Sequence, residues 1–184
     1  MSRLISAIAI TMIIIIAIVI IGFTIGIVTD YIANCLMSLF GYKIGYIIAN
    51  YITFPGVIHH ELSHAFVAFI TGAKIAKIEL FKIPSKSGGA LGTVSFIPRG
   101  PKLLQSIQLT VTPLAPIPFG LLTLKIIYNF IKVTELNLGT MIVITYIMIS
   151  ILLHMKLSKQ DIKTSLKGLP LTSLLILIIT YIIL

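Results

Sequence analysis

The sequence is short of charge: only 10% of its 184 residues are Asp, Glu, Lys or Arg, against about 25% in an ordinary globular chain. Acidic residues are scarcest, numbering five: Asp30, Glu61, Glu79, Glu135 and Asp161. A soluble domain of this length must cover its exterior with polar groups, and fourteen basic and five acidic side chains are too few to do so. Disorder is excluded for the opposite reason. Disordered chains are poor in apolar residues, whereas 58% of this one is hydrophobic and its mean hydropathy is +1.12. The solvent of such a chain is largely lipid.

Other absences narrow the reading. Cys35 is the single cysteine, so neither an intramolecular disulfide nor a cysteine-built metal site is available, and its simplest role is that of a small apolar filler. Four histidines are too few for a histidine-box di-iron oxidase or desaturase. The net charge of +9 would in a soluble protein point to nucleic acid. Here the basic residues are split between two loops without an aromatic platform, so no nucleic-acid partner is expected, and the lipid bilayer is the expected surrounding.

What is present in quantity is apolar sequence. A hydrocarbon core of about 30 Å takes about 20 helical residues to cross. On that scale the expected fold is an all-α polytopic membrane protein of about five transmembrane helices with a small β-hairpin, the whole forming one domain over residues 1–184. The first crossing is expected at residues 4–28, too long for a signal-peptide core of about 7–15 residues and without a clear cleavage site. Residues 30–40 are expected along the interface. Residues 42–71 form the second crossing, kinked at Pro55 and Gly56. Residues 103–131 form the third, with Pro113, Pro116 and Pro118, which either kink the helix or line a substrate groove. Residues 138–155 form the fourth, and residues 158–184 the fifth, with a break at Gly168 and Pro170.

The intervening stretch, about residues 73–100, is too polar to span. Lys74–Ile83 alternates partly, Ser85–Gly89 holds turn formers and Leu91–Ile97 is a second β-like run, so a hairpin is expected. It is either a plain connection or an edge that accepts an extended peptide. Five crossings collect Arg3, the cations of residues 74–102 and Lys156, Lys159, Lys163 and Lys167 on one side, which the positive-inside rule makes cytoplasmic. That places the N-terminus in the cytoplasm, the C-terminus outside, and Asp30 and Glu135 on the side away from the basic loops. Re-entrant segments would upset this parity.

One cluster of ionisable residues lies inside an apolar segment: Pro55-Gly56-Val57-Ile58-His59-His60-Glu61-Leu62-Ser63-His64. His60 and His64 stand at i and i+4, about 40° apart around a helix and about 6 Å along it, so both imidazoles converge on one point. That suits two ligands of a tetrahedral zinc, one per chain. Glu61, next to a ligand, reaches a water at the metal without occupying a coordination position and fits a general base. Ionisable groups clustered in lipid are costly, which argues for a functional site over a structural patch. His59 points elsewhere on the helix, toward an interface or a supporting role.

The run His60-Glu61-Leu62-Ser63-His64-Ala65, followed by Thr71-Gly72-Ala73-Lys74, a β-like stretch and further apolar segments, resembles the site-2 protease family of membrane-embedded zinc metallopeptidases. The resemblance implies a compact helical bundle with zinc toward the cytoplasmic side, held by His60 and His64 with Glu61 as catalytic base. It further implies cleavage of peptide bonds in or near membrane segments of protein or peptide substrates. That family usually supplies a third ligand, an Asp, from a proline-containing run on a later helix. Here Thr112-Pro113-Leu114-Ala115-Pro116-Ile117-Pro118-Phe119-Gly120 keeps prolines and glycine but has no Asp.

Counting what remains leaves two candidates for the third ligand. Asp30 and Glu135 fall on the wrong side, and Glu79 sits among lysines as a solvated ion pair. Asp161 is one candidate, although Ser158-Lys159-Gln160-Asp161 also reads as a helix capping box. His154, at the end of an apolar helix, is the alternative. Gln105, Gln108, Thr110 and Thr112 are candidates to stabilise an oxyanion. The competing function is a non-catalytic metal-binding membrane module, a transporter or chaperone.

Overall fold

The computed structural model describes residues 2–83 and 90–184. Its elements are α1 (Ser2–Phe40), α2 (Tyr42–Ile47), a π turn (Ile48–Ile52), α3 (Phe54–Ile70), β1 (Lys74–Glu79), β2 (Thr93–Ile97), α4 (Lys102–Leu114), α5 (Pro116–Val133), α6 (Leu138–His154) and α7 (Lys159–Ile183). The chain is therefore mostly helical with one two-stranded antiparallel sheet, in which Lys74 faces Ile97 and Glu79 faces Thr93. The turn formers Ser85–Gly89 lie outside the described residues.

Three helices are long and apolar enough to cross a membrane: Arg3–Phe40, Pro116–Val133 and Lys159–Ile183. The second expected crossing is built from α2, the π turn and α3, the third from α4 and α5, and the fourth is α6, a shorter apolar helix of 17 residues. The interruption expected at Pro55 falls instead at Thr53, whose backbone leaves the helical region after the π turn. Pro55 then sits in the first turn of α3, where its missing N–H costs nothing.

Residues 30–40 do not form a separate interfacial segment. They continue α1, because neither Asp30 nor its neighbours break a helix and the first left-handed residue is Gly41, with φ 77°. At about 1.5 Å per residue, the 39-residue α1 is about 58 Å long. Its N-terminal part lies against α7, where the Arg3 guanidinium donates to the Ile182 carbonyl at 3.0 Å. Further along, Asp30 pairs with Lys156, Nζ to Oδ1 2.7 Å. Beyond that pair Leu36 shares a groove with Met141 and Tyr146 of α6. The helical ends near Arg3 and Ile182 thus lie together, and Asp30 stands at the level of Lys156.

Close helix contacts fall at small residues. A Cβ on Gly56 would overlap the Ser150 carbonyl of α6. The contact is sealed by Gly56 N–H to Ser150 Oγ (2.8 Å), Ser150 Oγ–H to the Thr53 carbonyl (2.7 Å) and the Tyr146 hydroxyl to the Ile52 carbonyl (2.7 Å). Gly168 does the same for α4 and α7, where a Cβ would strike the Ser106 carbonyl. Thr172 Oγ1 there lies 3.0 Å from Thr110 Oγ1. The break expected at Gly168 and Pro170 is absent. α7 runs through both, since Pro170 removes a single helical donor and Gly168 serves as the crossing point. These contacts bring α3, α4, the end of α6 and the start of α7 to one level.

Candidate metal centre

His60 and His64 stand one turn apart on α3, and their Nε2 atoms are 3.1 Å apart. The Asp161 carboxylate on α7 closes a triangle: Oδ2 is 3.7 Å from His60 Nε2 and Oδ1 is 3.4 Å from His64 Nε2. Among the described residues these three form the group able to hold a metal ion. Four donors at about 2.0–2.1 Å from a tetrahedral zinc are separated by about 3.3 Å. The triangle therefore matches one face of such a tetrahedron.

The other nitrogen of each imidazole fixes its tautomer. His60 Nδ1 lies 2.7 Å from the His154 carbonyl and His64 Nδ1 lies 2.8 Å from the Thr112 carbonyl. A carbonyl only accepts, so both Nδ1 atoms carry a proton, which leaves the two Nε2 positions, turned toward each other, as the ones able to ligate a metal. A cation between the two Nε2 atoms and the carboxylate would be met by all three. The donor set, two imidazoles and a carboxylate, fits zinc.

Both carbonyls are ones their own helices leave short of donors. Pro116 stands four residues after Thr112 and has no N–H, so α4 cannot close its last α-helical bond there, and only a 3.2 Å contact from Ala115 N remains. His154 is the last residue of α6, where carbonyls have no partner within the helix. The proline cluster that lacks the family's Asp thus supplies a backbone acceptor to a histidine instead.

Asp161 completes the capping box read from the sequence and faces the imidazoles as well. Its Oδ2 accepts from Ser158 N at 2.8 Å while Ser158 Oγ accepts from Asp161 N at 3.1 Å, completing the capping box. The cap holds the carboxylate in one rotamer, and that rotamer faces the imidazoles.

The remaining candidates are placed elsewhere. The His154 ring, the alternative ligand, points away from the triangle, with Nε2 3.0 Å from Thr53 Oγ1, and contributes only its carbonyl. The His59 Nε2 lies 2.9 Å from Thr123 Oγ1, linking α3 to α5. Glu79 pairs with Lys77 at 3.0 Å and Lys82 at 2.8 Å, which hold its carboxyl below the usual carboxylate range. Of the four oxyanion candidates, Gln108 is spent structurally, donating to the Thr71 carbonyl and accepting from Arg99 N. Gln105 donates to the Gly100 carbonyl and Thr110 to that of Ser106. Thr112 Oγ1 is buried without a partner.

Glu61 is buried beside the triangle and lines, with His60, His64 and Asp161, a cleft of ≈ 530 Å³. The cleft is walled on one side by Gly92–Val94 of the hairpin and on the other by Lys156–Asp161. The Val94 amide faces the Glu61 carboxylate. Sequence reasoning missed the Thr112 carbonyl, having singled out that residue for its side chain, and missed Gly92; both contributions come from the backbone. The one signal for the former was a proline four residues downstream.

No protein-family model, curated protein or solved structure matches the chain.

Proposed function

We propose that this chain is a membrane-embedded zinc endopeptidase that hydrolyses peptide bonds in or near membrane segments of protein or peptide substrates, as the resemblance to site-2 proteases implies. The observation that carries the proposal is the pair of Nε2 atoms at 3.1 Å, each turned inward by a carbonyl behind its ring and faced by Asp161. His60, His64 and Asp161 would hold the metal, leaving one tetrahedral position for water or a substrate carbonyl. Zinc, when bound, supplies Lewis acidity toward water and toward the carbonyl oxygen.

The protein's own residues account for the rest. Glu61 takes a proton from the attacking water as the new C–O bond forms, and passes it to the amine nitrogen as the C–N bond breaks. An extended segment adds to the free edge of the β1–β2 hairpin, whose strand end walls the cleft, and so reaches Glu61 with its backbone hydrogen bonds met. The cleft supplies the route for water. α1, α5 and α7 anchor the chain in the bilayer. Lys156, Lys159, Lys163 and Lys167 adjoin the site and turn it toward the cytoplasm by the positive-inside rule.

The test is Glu61→Gln in the full chain reconstituted in lipid. Wild type binds about one zinc per chain and cleaves a membrane-segment peptide; the variant keeps the zinc and loses cleavage. Normal cleavage by the variant overturns the proposal. A metal-dependent function indifferent to Glu61→Gln would make the chain a non-catalytic metal carrier, such as a transporter or chaperone.

A further inference from the structure

Three glycines among the described residues adopt positive φ: Gly41, Gly72 and Gly100. Gly92 is not one of them, so its backbone does not require a glycine. Its surroundings do. A Cβ at position 92 would lie 2.6 Å from Glu61 Cγ, 3.0 Å from Glu61 Oε1 and 2.9 Å from the Leu80 carbonyl oxygen. Distances below about 3 Å lie inside van der Waals contact, so a side chain there must displace something. The Leu80 carbonyl belongs to the hairpin backbone, whose closure is marked by Lys82 N–H to the Leu91 carbonyl at 2.6 Å. The softer neighbour is the glutamate.

We infer that Gly92 is a positioning residue for Glu61: the bare backbone at the entry to β2 presses flat against the glutamate and fixes the rotamer that aims its carboxylate into the cleft. The inference rests on the reading of Glu61 as the proton-transferring group, and it adds a dependence of that group on the hairpin. The surface that receives an extended peptide and the surface that seats the carboxylate are then one strand. A peptide that pairs with β2 in another register shifts the reacting carbonyl relative to Glu61, while the carboxylate stays where Gly92 holds it.

The experiment uses the full chain in lipid with Gly92→Ala, read three ways. Zinc content and KM are expected to stay near wild type while kcat falls roughly 100-fold, the scale of a misplacement of about 1 Å in a catalytic group. The infrared carboxylate band assigned to Glu61 by difference against Glu61→Gln is expected to shift in Gly92→Ala. Slow exchange of the Lys82 amide reports that the hairpin is intact. If Gly92→Ala loosens the hairpin, wild type decides the matter: solid-state NMR with carbon labels at Gly92 Cα and the Glu61 carboxyl is expected to give a separation of about 4–5 Å, close to packing contact. An unshifted band with unchanged kcat, or labels far outside contact range, overturns the inference. A shifted band in a chain that cleaves no peptide leaves the positioning standing and refutes the peptidase reading.

Discussion

The Nδ1 of His64 lies 2.8 Å from the carbonyl oxygen of Thr112, an acceptor made available because Pro116 stands where a helical N–H would otherwise claim it. A helix defect on α4–α5 thereby becomes the support for the His64 ring on α3. Metal ligands held this way typically lose about 10–100-fold in affinity when the support is removed.

Pro116→Ala restores a donor to the Thr112 carbonyl and sets it in competition with His64. Zinc affinity, measured by competition with a chelator, is expected to fall about 10-fold or more. Retained affinity would show that the carbonyl does not hold the ring.

Asp161 serves the cap and the triangle, and substitution separates the two. Ser158→Ala removes the cap acceptor and is expected to cost about 1 kcal/mol in thermal unfolding while zinc stays near one per chain. Asp161→Ala is expected to lose the cap and the zinc together. Full zinc occupancy in Asp161→Ala, measured by metal analysis of the purified chain, would remove Asp161 from the ligand set.

Gly56→Val would drive a side chain into the Ser150 carbonyl and separate α3 from α6. Overpacking at such a crossing is expected to destabilise by about 1–3 kcal/mol, read by thermal unfolding. It also draws the His154 carbonyl from His60, so metal affinity is expected to fall in step. Stability lost with affinity unchanged would uncouple the crossing from the site.

The course of α1 is tested by cross-linking. In a Cys35→Ser background, Asp30→Cys with Lys156→Cys is expected to be joined by a short bifunctional thiol cross-linker that replaces the reach of the lysine stem, because the native side chains meet there. A pair of cysteines at Asp30 and Glu135 is expected to stay unjoined. The reverse pattern would return Asp30 to the end of a shorter helix.

Much of the site was legible in the sequence because its groups are side chains with a spacing. His60, Glu61 and His64 show their convergence in the interval of four, and Asp161 was reached because so few acids exist. The capping role of Asp161 followed from Ser158, three residues before it. The Thr112 and His154 carbonyls were not legible, since a backbone oxygen carries no residue signature. Gly92 likewise acts by lacking a side chain.

The fold was legible where local chemistry decides it, at the hairpin strands and at the three long apolar helices. It was misread where a contact spans the chain. Residues 30–40, too short to span alone, read locally as an interfacial segment, whereas α1 runs through them and the charge of Asp30 is met by Lys156, 126 residues later. The meeting of Arg3 with the Ile182 carbonyl likewise joins positions far apart in the sequence, where local reading has no signal.

The central claim is that His60, His64 and Asp161 hold a metal, and X-ray absorption at the zinc edge of the full chain in lipid tests it most directly. The account predicts a four-coordinate zinc with two imidazole nitrogens and oxygen donors at about 2.0–2.1 Å, losing one nitrogen in His64→Ala. A chain that binds no zinc, or a zinc bound through the Cys35 sulfur or through water alone, would contradict it.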